Sequence, residues 1–240
     1  MTYDVTKEIY LTDKNCDYLS KLKMSQAFIL MQDVAEKSAV SAGMGREEMI
    51  KDNRSFVLSR MTLEVTRMPD IYETFTLLTW PKGMMKMFYL RDYLFSKGDE
   101  PLIKARAVWA VLDLKTRKLV VDKKGTAIFD IDEKRASLDY VPGKIRSDEP
   151  GEFVGEVNAT YSLTDPNGHI NNTRYIEWIY DYLPDGFLEK HISYRVDINY
   201  INEAYYKDKI KIYCFSGENI IIEGRVSDKV CFLAQFSKLE

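Results

Sequence analysis

The residues best suited to chemistry gather in one stretch, Asp165-Pro166-Asn167-Gly168-His169-Ile170-Asn171-Asn172. A carboxylate, a carboxamide and an imidazole fall there at alternate positions. Histidine is scarce, with only His169 and His191 in the chain. An imidazole moves protons near neutral pH. A helix starting directly after it presents unpaired N–H groups and the positive end of its dipole, which suit the oxygen of an attacked carbonyl. The same letters also spell an ordinary turn, because Asp-Pro-Asn-Gly is turn sequence and Asn171 or Asn172 can cap a helix. Local chemistry leaves both readings open.

The elements that must position this stretch are legible from periodicity. From Ser25, a plausible N-cap, to Ala42, apolar residues recur at Ala27, Phe28, Met31, Val34, Ala35 and Ala39, the helical period. Gly43 and Gly45 end it. A second helix carries Tyr175, Ile176, Ile179, Tyr182 and Leu183, stopped by Pro184 and Gly186. Ile192, Tyr194, Val196, Ile198 and Tyr200 form a period-2 stripe. Other strands are expected at 3–11, 56–67, 72–79, 86–96, 102–114, 153–163, 209–215, 219–226 and 230–237. Each half reads as strand, helix, then about four antiparallel strands. One apolar helix among strands implies a sheet wrapped around it, the hotdog arrangement. The fold class expected is α+β, a tandem (double) hotdog with two antiparallel sheets, each around a central helix. The halves are expected at 1–129 and 153–240. The charged, Pro- and Gly-containing stretch 130–152 reads as a linker, and the sequence does not decide whether 136–141 adds an ordered element.

Internal repetition supports two halves. Leu11-Thr12-Asp13-Lys14-Asn15 recurs as Leu163-Thr164-Asp165-Pro166-Asn167, 152 residues later. The alternating run Arg60–Val65 recurs as Arg195–Tyr200, 135 residues later. A shorter helix region in the second half would account for the change of offset. Aligned this way, Asp17 stands where His169 stands, and Met68 where Glu203 stands. A His and a Glu present together in one half and absent together from the other fit one working site and one catalytically degenerate copy.

Bulk composition narrows the function classes. The chain has 240 residues, 45% hydrophobic and 30% charged, with net charge −3. That length buries a core without a metal or disulfide staple, and the charge balance gives no footprint for nucleic acid. No signal peptide is read at the N-terminus, and no apolar run approaches the roughly 20 residues of a membrane span. Cys16, Cys214 and Cys231 are odd in number and show no ligand spacing, so inert buried thiols and a cytoplasmic location are expected.

The run Asp-x-Asn-x-His-x-x-Asn, followed by Tyr175-Ile176-Glu177-Trp178, resembles the signature of the acyl-acyl-carrier-protein thioesterases of plants and bacteria. Thr79-Trp80-Pro81 and Arg67-Met68-Pro69 resemble that family too. The resemblance spans nearly the whole chain. It implies a double hotdog, a hydrolase without metal or cofactor, a buried acyl tunnel, and acyl carrier protein as partner, with a homodimer left open. It makes Asp165, Asn167 and His169 catalytic candidates. The plant enzymes have Arg-Glu-Cys where this chain has Asn202-Glu203-Ala204. The carboxylate Glu203 is retained and the cysteine is not, which argues against a cysteine nucleophile here.

Glu203 and His169 are expected to handle a water, one of them as base. Asn167 would hold the water or the thioester, and Asp165 would orient its neighbours. Backbone N–H groups near His169 and Ile170 would face the oxyanion; direct attack by a carboxylate is the alternative. Met24, Phe28, Met31, Met84, Met85, Met87 and Phe88 are candidates for the acyl channel, with core packing as the competing role. Lys82, Lys86, Arg91, Lys104 and Arg106 are the expected docking patch for an acidic carrier. Rival readings are an acyl-coenzyme A thioesterase, a non-catalytic acyl-binding protein and a dehydratase.

Overall fold

A computed structural model describes residues 3–121, 135–146 and 151–239. The first half contributes β1 (Val5–Tyr10), α1 (Met24–Ser41), α2 (Arg46–Lys51), β2 (Arg54–Val65), β3 (Thr74–Met85), β4 (Phe88–Lys97), β5 (Glu100–Asp113) and the short β6 (Leu119–Val120). The second contributes β7 (Glu152–Asn158), α3 (Asn172–Asp181), the single turn α4 (Phe187–Lys190), β8 (Tyr194–Tyr200), β9 (Lys209–Ser216), β10 (Ile220–Val226) and β11 (Lys229–Ser237). Strand, helix and four further strands recur in each half, as the alternation predicts. The stretch 153–163 is shorter than expected: β7 stops at Asn158, and Tyr161–Leu163 is a 3-10 turn.

Among the described residues the strands form one eleven-stranded antiparallel sheet, ordered β1-β3-β4-β5-β2-β8-β11-β10-β9-β7, with β6 on β5. The two sheets of the double hotdog are therefore joined edge to edge through β2 and β8. Thr62 lies directly opposite Asp197 in that pairing, and these two residues occupy the same position in the two repeats. A pseudo-two-fold axis passes between them. The Thr62 hydroxyl donates to the Asp197 carboxylate, which also accepts from Arg195 Nη2 at 3.0 Å.

Both long helices press their apolar faces onto a shared core. Met24, Ala27, Phe28, Met31, Val34 and Ala35 of α1 are buried, as are Tyr175, Ile176, Trp178 and Ile179 of α3. Gln32 Nε2 of α1 donates to Asn172 Oδ1 at the start of α3, at 2.7 Å. Ser25 is not the cap expected of it: α1 begins at Met24, and Ser25 is buried inside its first turn. Helix α2 and strand β6 were not anticipated. Together with the ends of β2, β4 and β5 they enclose a second, smaller core of Met44, Met49, Tyr89 and Val111. No helix among the described residues is long and apolar enough to cross a membrane.

Residues 135–146 form neither helix nor strand, yet they cross four neighbouring strands in order. Ser137 N donates to Asp92 Oδ2 of β4 (2.8 Å) and Arg106 Nη1 of β5 to the Tyr140 carbonyl (2.8 Å). Tyr140 Oη donates to Glu64 of β2 (2.8 Å), and Asn199 of β8 bonds both Gly143 O (3.1 Å) and Ile145 N (2.9 Å). Of the stretch 130–152 read as linker, 130–134 and 147–150 lie outside the described residues, and its last residue, Glu152, already opens β7.

Beneath this strap Asp92 and Arg106 form a two-pronged pair at 2.6 and 2.8 Å, with Asp92 fully buried. Removing one partner of a buried pair strands the other's charge, at about 3–5 kcal/mol. Asp92→Ala should therefore lower unfolding free energy by about that amount in urea titrations. A loss of no more than about 1 kcal/mol, the range of exposed pairs, would contradict this account of the strap.

Candidate active site

The turn before α3 is built by Asp165. Its Oδ1 accepts from Asn167 N (2.8 Å) and His169 N (3.1 Å), while its own N–H donates to the His169 carbonyl (2.7 Å). Gly168 closes the turn at φ +81°, a region glycine enters without steric cost. Asn171 is the N-cap of α3, accepting from Thr173 N at 2.9 Å, which settles which asparagine caps. The segment after β8 is stitched onto this turn. His169 bridges to Tyr205, Ile170 N donates to Ala204 O (2.8 Å), and Ala204 N donates to Tyr175 Oη (2.9 Å).

That stitching brings Glu203 to His169, with Nε2 and Oε2 3.5 Å apart. The gap is longer than an ordinary hydrogen bond. Glu203 Oε2 also accepts from Arg117 Nη2 at 2.5 Å and Tyr205 Oη at 2.9 Å. The hydrogen bond to Glu203, and then burial, push the Tyr205 phenol up, so Tyr205 is held as a donor. Asn167 Oδ1 accepts from Arg46 Nη2 (3.0 Å), and Asn167 Nδ2 donates to Asp165 Oδ2 (3.3 Å). Arg46 and Arg117 come from the first half and were missed in the sequence. Each is an ordinary basic residue beside a turn, and nothing local marks it as reaching a site more than eighty residues away.

Asp165, Asn167, His169 and Glu203 all line one cavity of about 1120 Å³. Its apolar wall includes Phe56, Leu58, Tyr89, Trp109 and Leu112. None of the methionines proposed for the channel lines it, nor do Phe28 and Phe88. Met24, Phe28 and Met31 are packed in the main core; Met84 backs the smaller core, one layer behind the wall; Phe88 lies under Arg60. Their hydrophobicity was read correctly, but the wall is set by the strand ends that the smaller core shapes. The expected backbone oxyanion donors are also engaged, His169 N with Asp165 and Ile170 N with Ala204. Two members of the expected basic patch are not on the surface: Arg91 and Arg106 are buried. Cys16, Cys214 and Cys231 are buried outside the cavity wall, and burial pushes the Cys16 and Cys231 thiols up. Among the described residues no three His, Cys, Asp or Glu side chains gather as metal ligands.

The structure corrects the repeat. The 3-10 turns Asp13–Asn15 and Tyr161–Leu163 and the bridges Cys16↔Leu22 and Thr164↔Ile170 are 148 residues apart, not 152. Asp17 is thus the counterpart of Asp165. Its Oδ1 accepts from Leu19 N and Lys21 N (both 3.0 Å), and Ser20 takes the positive φ of Gly168. The residue standing where His169 stands is Lys21, in an ion pair with Asp70; Met68 remains the counterpart of Glu203. The five-residue match used in the sequence is an echo four residues out of register.

Comparison with known proteins bears directly on this architecture. Residues 3–124 match the Acyl-ACP thioesterase N-terminal domain and residues 151–229 the Acyl-ACP thioesterase C-terminal domain. The chain belongs to the acyl-ACP thioesterase family. It is 26% identical to an acyl-ACP thioesterase of Bacteroides thetaiotaomicron of known structure, with a TM-score of 0.85 over 98% of this chain and 97% of that one. The 12:0-ACP thioesterase of Umbellularia californica has the same fold, with a TM-score of 0.83 at 17% identity, covering 99% of this chain and 97% of that one. A chloroplastic palmitoyl-acyl carrier protein thioesterase of Gossypium hirsutum is 28% identical over 196 residues, 72% of this chain and 46% of its own. This acyl-ACP thioesterase family member spans about half the length of the curated relatives it matches.

The Arg117–Glu203 contact generates a prediction. Arg117 is about half exposed, so water screens it. Arg117→Ala should cut kcat/KM for thioester hydrolysis about tenfold, the lower end of what a charge-assisted hydrogen bond supplies, and Arg117→Lys should restore part of it. Unchanged kcat/KM in the alanine variant would remove Arg117 from the site.

Proposed function

We propose that this chain hydrolyses fatty acyl thioesters carried on acyl carrier protein. The observation that carries the reading is an imidazole and a carboxylate 3.5 Å apart on the wall of one large, partly apolar cavity. Names of relatives from Bacteroides, Gossypium and Umbellularia point to the same carrier.

In this proposal the acyl chain lies along the apolar wall and the thioester sits between Asn167, His169 and Glu203. The described residues make no hydrogen bond to the His169 ring, whereas Glu203 Oε2 already accepts from Arg117 and Tyr205. His169 Nε2 therefore takes the proton as the water oxygen attacks the carbonyl carbon, and Glu203 stabilises the imidazolium that forms. The second amide hydrogen of Asn167 is directed to the carbonyl oxygen. Collapse breaks the C–S bond, and the proton on His169 passes to the departing thiolate. The products are a fatty acid and a thiol. Asp165 is a positioning residue, since both of its oxygens are spent on the turn.

Removing a general base costs ~10²–10⁴ in rate. His169→Ala and Glu203→Ala should each lose at least a hundredfold in thiol release with unchanged melting. Near-normal turnover by either purified variant would refute its role. Carrier docking is assigned to the exposed turn around Lys115 and Lys118, which adjoins Arg117 at the site. Replacing both lysines by serine should raise KM for acyl-ACP, leave kcat near its starting value and flatten the salt dependence. An unaltered salt dependence would place docking elsewhere. Acyl-coenzyme A assayed beside acyl-ACP tests the carrier, and binding without thiol release would favour an acyl-binding protein.

A further inference from the structure

Arg91 is a buried charge in the cavity lining, 8% exposed. On β4 it alternates with Asp92, which faces the outer strap, and shares the inner face with the buried Tyr93 and Phe95. Its hydrogen bond is to Thr79 Oγ1 at 3.3 Å, and it has no ion pair with any described carboxylate. Burial pushes its guanidinium down, offset in part by Tyr93 and by Asp4, and Asp4 is itself paired with Arg135. The contrast with Arg106 on the neighbouring strand is direct, since Arg106 is equally enclosed and held by both oxygens of Asp92.

The position of Arg91 relative to the chemistry is fixed by strand order. Glu203 follows β8, and the wall continues through Leu58 on β2 and Trp109 on β5 to Arg91 on β4. Three strand spacings separate β8 from β4, about 14 Å. An acyl chain held with its carbonyl at His169 and its tail along this wall advances toward the guanidinium.

Resting on the hydrolase reading above, we propose that Arg91 determines acyl specificity by ending the channel in a polar group. A guanidinium with unfilled donors holds water. A hydrocarbon tip that displaces this water replaces none of its hydrogen bonds and loses affinity. Chains that stop short of Arg91 are favoured, and chains long enough to press an alkyl tip on it are rejected. A chain of the rejected length that carries a hydroxyl or keto oxygen at its tip supplies the missing acceptor and is accepted.

The test is thiol release from acyl-ACP of graded chain length by the wild type, Arg91→Met and Arg91→Lys, with melting curves for each. The wild type should fall off beyond one length. In Arg91→Met the kcat/KM ratio of the first rejected length to the preferred length should rise at least tenfold, while Arg91→Lys keeps the wild-type ratio. The wild type should also hydrolyse the ω-hydroxyacyl form of that rejected length at least tenfold faster than its alkyl parent. An unchanged ratio in Arg91→Met, an equal loss at all lengths, a wild-type profile without a fall, or no gain from the ω-hydroxyl overturns the proposal. Should Arg91→Met not fold, the ω-hydroxyl comparison on the wild type decides. Absence of thiol release from every chain would overturn the hydrolase reading instead, and dissociation constants for the same panel would then decide the role of Arg91.

Discussion

Strands β2 and β8 would each be the bare edge of a five-stranded sheet if the halves stood apart, and an exposed edge is a template for unwanted pairing. Here each edge is covered by the other, over Arg60 to Val65 against Tyr194 to Asn199. The register is narrow because parity enforces it. Val196 and Ile198 are fully buried in the core, while Arg195, Asp197 and Asn199 face the strap on the other side. A one-residue slip would turn a carboxylate into the core and two aliphatic side chains out of it. The buried contact of Thr62 with Asp197 then marks the axis about which the halves are related.

This seam explains why the site draws on both halves. The turn carrying Asp165 and His169 belongs to the second half, yet the groups that engage Asn167 and Glu203 are Arg46 and Arg117 of the first. The fixed relation between β2 and β8, with the core the helices share, keeps those distances. The repeat also shows how the place of His169 diverged, for Lys21 stands there in the first half and Asp70, across the bridge from it, stands where Tyr205 does. Lys21 and Asp70 satisfy each other in the first half, a closed pair with no share of a large cavity. His169 and Glu203 stand farther apart than an ordinary hydrogen bond and face the cavity between them. In the proposed reaction that unmet hydrogen-bonding capacity is what a water and the thioester would use.

Elements with strong periodicity were legible in the sequence. Both helices and the ten long strands follow from 3.6- and 2-residue patterns, because each buries one face against a shared core. The turn from Asp165 to Asn171 was legible because turn, cap and histidine fall within seven residues and depend on local bonds. Three features were not. The six residues of α2 are too few for a period to declare itself. The methionines expected at the channel do not line the cavity, because methionine marks adaptable packing anywhere, and Met24 and Met31 pack in the core. The repeat was misregistered by four residues because a matching pentapeptide outweighed geometry that only the 3-10 turns and bridges reveal. Arg46 and Arg117 are a deeper omission, since their role exists only across the seam.

The distribution of arginines ties these points together. Where a guanidinium supports structure, it is saturated: Arg106 between Asp92 and the Tyr140 carbonyl, Arg67 between Glu73 and Glu100. At the candidate site it is shared and exposed, as Arg117 is at Glu203, so that water can still compete. Arg91 is buried as deeply as the structural arginines and yet carries one long hydrogen bond. A charge in that state costs free energy unless something completes its shell. Among the described residues it has no ion pair with a carboxylate, Asp4 being paired with Arg135, and it faces the cavity. What fills that side, water or the end of a bound chain, is therefore coupled to what the opposite end of the cavity can hold for reaction.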